Sequence, residues 1–117
     1  MRLTEITYGT AQAIDGYGPG FFRVAGQVLR GAVLVTPWDA GPWGGYDDSA
    51  APLTLTGRID VLFVGTGREI AHIPAAFRDP LEAAGIGVEV MGTPAAARTY
   101  NVLLGEGRRI AACLIPV

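Results

Sequence analysis

Few side chains in this 117-residue chain are of a kind that could do chemistry. The most suggestive set is Gly65-Thr66-Gly67, which ends an apolar run, together with Thr93 and Arg98 some thirty residues on. If the runs before Gly65 and Gly92 are parallel strands, their carboxyl ends lie side by side, where open α/β sheets bind ligands. The hydroxyls of Thr66 and Thr93, the first amides of a helix at Ala95 and Ala96, and Arg98 one turn in would then suit a small anion bound weakly. The opposing reading makes the glycines close-packing positions, Thr93 a helix cap and Arg98 a solvated charge. Gly-Thr-Gly is neither a dinucleotide fingerprint nor a Walker loop, so no cofactor is expected.

A second set is aromatic. Residues 37–58 hold Trp38, Trp43 and Tyr46 among Pro37, Pro42, Pro52 and the Gly44-Gly45 pair. Long ordered loops often have a function, and these rings could form the contact surface for a partner. Equally, the tryptophans could plug one end of the core. Asp39, Asp47 and Asp48 lie nearby, but the single histidine, His72, is distant and the acids have no ligand spacing, so no metal is expected. Glu89 and His72 are the only conceivable general bases, and spacing ties neither to the Thr66–Thr93 crevice. Cys113 sits within an apolar run and reads as a small buried hydrophobe. No catalytic residue is assigned.

Composition bounds what these groups can serve. With 50% hydrophobic and 17% charged residues and a net charge of −2, the chain reads as one weakly acidic globular domain spanning residues 1–117. All nine cationic side chains are arginine and they are scattered, which argues against nucleic acid. The absence of lysine beside abundant Ala, Gly, Pro and Arg suggests a GC-rich bacterial genome. No leader pattern and no membrane-length apolar run is present, so a cytoplasmic protein, not embedded in a membrane, is expected.

The elements that must position these residues can be read from pattern. Ile6 and Tyr8 alternate weakly, and the cluster from Asp15 to Gly20 is turn or loop. Phe22, Val24 and Val28 mark one face of a strand that should pair with Ala32–Val35 in an N-terminal hairpin turning at Gly31. Val61 to Val64 are apolar without alternation, as in a strand covered on both faces. A helix follows the prolines, beginning either at Pro74 or, capped by Asp79, at Pro80, and ending at Gly85. Ile86 to Val90 supplies a parallel strand. Thr93-Pro94 opens a second helix whose inner face carries Ala96, Ala97, Tyr100, Leu103 and Leu104. The run from Arg109 to Val117 should be a central strand stopped by Pro116. The expected fold class is α/β, a three-layer single domain with a mixed central sheet, an N-terminal β-hairpin and two helices.

From Ile59 to Pro116 the chain also resembles a family of small uncharacterised conserved domains that includes a mitochondrial respiratory complex I assembly factor and an adipogenesis-associated cytosolic protein. The specific parts are Gly65-Thr66-Gly67, Met91, Thr93, Ala97, the run Arg98 to Leu103, and Gly107-Arg108. Trp38, after the hairpin, also fits, whereas Gly92 stands where relatives usually have aspartate. The resemblance implies a three-layer α/β domain with a mixed sheet and, for most members, no assigned activity. Together these readings favour a non-catalytic binding or assembly module, linked through its relative to respiratory complexes, with another protein as partner. The alternative is a small enzyme or ligand-binding protein with an anion site at the ends of the central strands.

Overall fold

Val61–Thr66 (β6) lies between two parallel neighbours, Ile110–Ile115 (β8) and Gly87–Met91 (β7). Val33–Val35 (β4) pairs antiparallel with the other side of β8, and Ala40–Pro42 (β5) with β4. The sheet order is therefore β5-β4-β8-β6-β7, and the apolar runs without alternation sit at its centre. The computed structural model describes residues 11–117, so the alternation at Ile6 and Tyr8 lies outside the described residues.

Each strand divides its side chains between two cores. Phe63, Ile110, Ala112 and Leu114 face Thr93–Gly105 (α3) and pack with Ala96, Ala97, Tyr100 and Leu104. Leu62, Val64, Ala111 and Cys113 face Ala75–Ala83 (α2) and pack with Phe77, Leu81 and Trp43. That two-residue alternation makes the sheet the middle of three layers. A three-stranded antiparallel sheet, Ile14–Gly18 (β1), Phe21–Val24 (β2) and Gln27–Arg30 (β3), joins the α3 side through Ile14, Phe22 and Val24.

Several expectations change. Asp15 to Gly18, read as turn or loop, form most of β1 and pair with β2. The hairpin closes between β2 and β3, not between residues 21–27 and 32–35. Ala25 at φ 49° and Gly26 at φ 84° make its two-residue turn. Reversal at this point sets Val28 opposite Arg23, so Val28 shares the outward face and is 47% exposed. Gly31 does adopt a positive φ, but it directs the chain out of the small sheet towards β4. Residues 37–58 are not all loop: they contain β5, a 3-10 turn at Gly45–Asp47, and a short helix, Ala50–Leu53 (α1). Of the two starts offered for the first helix, Pro74 takes the cap position and Pro80 lies inside. At its end Gly85 is left-handed, and Gly85 N–H and Ile86 N–H bond back to Glu82 O and Leu81 O.

Candidate functional site

The carboxyl ends of β6 and β7 do lie side by side, but the groups between them are occupied by one another. Thr93 was expected as a helix cap; Gly92 holds that position, and Thr93 is the first helical residue, fully buried. Its hydroxyl donates to Ile115 O at 2.6 Å and accepts from Gly67 N–H at 2.8 Å. Thr93 N–H itself donates to Gly67 O at 2.7 Å. The reason is accounting: where β8 and β6 end, backbone groups lose their ladder partners, and one inward hydroxyl satisfies two of them. Thr66 does similar work. Its hydroxyl lies 2.7 Å from Glu69 O and 3.2 Å from Met91 O, and accepts from Ala71 N–H at 3.0 Å.

The glycines follow from the same closeness. A Cβ on Gly65 would stand 2.7 Å from Thr93 Oγ1 and 2.8 Å from Leu114 Cδ2, so glycine is what lets α3 begin hard against β6. Gly67 sits at φ 102°, a conformation that favours glycine. Of the amides offered for an anion, that of Ala96 donates to Gly92 O within the helix. Arg98 is not gathered with Gly65, Thr66 and Gly67. It lines a separate groove of about 270 Å³ with Pro94, Ala97, Asn101 and the β1 residues Asp15 to Tyr17.

The aromatic set also divides. Trp43 is 4% exposed, donates Nε1–H to Asp48 O at 3.0 Å, and meets Tyr46 and Phe77 at ring-centroid distances of 5.8 and 5.4 Å. Tyr46 packs on Phe77 as well, and burial raises its phenol pKa. These two rings close the α2 core. Trp38 is 47% exposed, and the Arg58 guanidinium lies 4.0 Å from its ring centroid. Nearby carboxylates serve as local acceptors: Asp39 takes the Thr36 hydroxyl, and Asp48 takes the amides of Gly44 and Ala51.

Among the described residues the deeply buried titratable groups are Tyr100 and Cys113. Tyr100 donates its hydroxyl to Gln12 O at 2.8 Å, and burial, then the charge of Asp39, pushes its pKa far up. Burial, then Asp48, pushes the Cys113 thiol up, away from the reactive thiolate. Among the described residues no group of three His, Cys, Asp or Glu is placed to hold a metal ion, and no helix is long and apolar enough to cross a membrane. Pattern reading missed a groove of about 300 Å³ lined by Ile70, Ala71, His72, Ile73, Arg78 and Val90. Its residues come from a loop, α2 and β7. No pattern in the sequence announces it, since the 69% exposure of Ile70 is not legible from residue type.

The chain is similar to known proteins over nearly its whole length. An uncharacterised protein of Rhodobacter capsulatus is 52% identical over 100% of this chain and 94% of its own. The zebrafish NADH dehydrogenase [ubiquinone] 1 alpha subcomplex assembly factor 3 is 34% identical over 96% of this chain, which spans about two thirds of that longer protein, 67%. A solution structure from Bordetella pertussis, a Mth938-like domain, superposes with a TM-score of 0.78 at 28% identity, covering 99% of this chain and 92% of the other. Residues 14–115 match the family described as "Protein of unknown function (DUF498/DUF598)", and the chain belongs to that family.

Proposed function

We propose that the protein is a binding module that acts in the assembly of a larger protein complex and does not turn over a substrate. One observation carries this reading: the hydroxyls of Thr66 and Thr93, at the place where an open α/β sheet would hold a ligand, are committed to the protein's own backbone. A transition state needs donors free to meet developing charge, and these are already engaged. The relatives named as assembly factors support the reading, with respiratory complexes in a bacterial cytoplasm as the setting we infer.

The test is co-purification of a tagged chain at native abundance from its own host, with quantitative mass spectrometry. A reproducible set of subunits of one larger complex is expected. Recovery of the chain alone would sink the reading, as would a turnover lost on Arg98→Ala in a folded protein.

A further inference from the structure

The five-stranded sheet ends in two unlike edges. At one, β5 is three residues long and carries Pro42, and β3 lies against it. At the other, β7 has five residues without proline, and of the devices that blunt an edge it carries only the charge of Glu89. Gly87 N–H donates inward to Asp60 O at 2.9 Å, and Met91 O faces the Thr66 hydroxyl at 3.2 Å. Backbone direction alternates along a strand, so Gly87, Glu89 and Met91 turn their groups towards β6 while Val88 and Val90 turn theirs outward. Among the described residues no strand pairs with that side of β7.

Beside this edge, on the α2 face, opens the 300 Å³ groove. Ile70 stands 69% exposed at its mouth, and Ile73 and Val90 form apolar wall. Arg78 supplies the charge: its side chain is 39% exposed, its Nε has no hydrogen-bond acceptor, and its ion pair with Glu82 is a long one at 3.8 Å. A carboxylate is the acceptor a guanidinium holds best.

We propose that β7 accepts an extended acidic segment of a partner protein as a further strand of the sheet. An apolar side chain of the segment seats between Ile70, Ile73 and Val90, and a carboxylate two positions along, on the same face, pairs with Arg78. The outward amide and carbonyl groups of Val88 and Val90 supply main-chain affinity, while the groove and Arg78 supply specificity. This rests on the binding-module reading and names its site and partner class.

The probe is an acetylated, amidated heptapeptide with leucine and glutamate two positions apart among threonines, titrated into the 117-residue chain and followed by amide chemical shifts. The largest shifts are expected at Val88, Val90, Ala71 and Ile73. Lysine in place of the glutamate should weaken binding about tenfold, the scale of one charge-assisted contact, and backbone N-methylation should abolish it. Arg78→Gln should erase the preference for glutamate over lysine, and Arg78→Lys should restore part of it. Val90→Pro removes an outward N–H that the fold does not use and trims a side chain that packs on the α2 core, so it should block binding; Val90→Ala trims the same side chain but keeps the N–H, and should lower the melting temperature comparably while retaining measurable binding. Shifts centred on Trp38 or on the Asp15–Arg98 groove, equal binding of both peptides, no binding at millimolar peptide, or a β7-mediated dimer in size exclusion would each overturn the proposal. If the co-purifying complex is retained undiminished by Val90→Pro and Arg78→Gln, the edge proposal fails alone. If the wild-type chain captures nothing, the binding-module reading fails with it.

Discussion

The two faces of the five-stranded sheet are fastened by different means. On the α3 face, hydrogen bonds join residues far apart in the chain. Tyr100 Oη donates to Gln12 O at 2.8 Å, Asn101 Nδ2 donates to Ile14 O at 2.7 Å, and Asn101 Oδ1 accepts from Ile14 N–H at 2.9 Å. These bonds fix the register of the N-terminal segment against the helix. On the α2 face, Trp43, Tyr46 and Phe77 pack ring against ring, and the polar link, Trp43 Nε1 to Asp48 O, spans only five residues. Directional bonds permit one arrangement, whereas apolar contacts tolerate small displacements. The face with fewer long-range polar ties is also the one that opens into the groove beside β7.

The contrast can be broken experimentally. The largest effect is expected for Tyr100→Ala, which removes a fully buried ring and its long-range bond and should cost about 3–5 kcal/mol by denaturant unfolding. A loss under about 1 kcal/mol would mean the α3 face is not fastened as described. Trp43→Ala should cost about 3 kcal/mol, since that ring closes a core. Were its melting temperature unchanged while partner capture vanished, Trp43 would be a contact residue and the packing account of the α2 face would fall.

Smaller effects sharpen the comparison. Asn101→Ala removes both bonds to Ile14 and should cost about 1–3 kcal/mol, together with faster exchange of the Ile14 amide. Tyr100→Phe should cost about 1 kcal/mol at neutral pH and alter the alkaline limb. In the folded state the Tyr100 phenol is raised above its ordinary 10.0, so its contribution is fully present below pH 10 and is lost as pH rises beyond that. The buried Cys113 thiol, raised above 9.0, acts with the same sign from a lower pH. Stability of the Phe variant should therefore fall less steeply above pH 10; equal slopes would show that Tyr100 does not titrate in this way. Trp38→Ala should change stability by less than about 0.5 kcal/mol, because that ring stacks only under Arg58 at the surface.

Much of this scaffold is written locally. The apolar runs 61–64 and 110–115 announce strands covered on both faces, and Thr93-Pro94 followed by an inner face of Ala96, Ala97, Tyr100 and Leu104 announces α3. Each follows from a periodicity that a segment of ten residues already contains. The hairpin turn is less legible because Ala25 takes a positive φ that its residue type does not advertise. β5, with the sequence Ala-Gly-Pro, has no strand signature; it exists because β4 offers a free side to bond.

The candidate site is less local still. The sequence picks out Thr66 and Thr93 as hydroxyls beside glycines, but whether a hydroxyl faces solvent or bridges two strand ends depends on partners such as Ile115 O, 22 residues away. It likewise presents Trp38 and Trp43 as equivalent aromatics of one loop, and only the packing of α2 buries the second and leaves the first outside. Residue type and spacing thus determined the central strands, the two longer helices and the family. The tertiary structure alone decided which polar groups are spent, which edge is open, and that Arg78 lies beside Val90, because hydrogen bonds and grooves form between segments whose separation in the chain carries no local pattern.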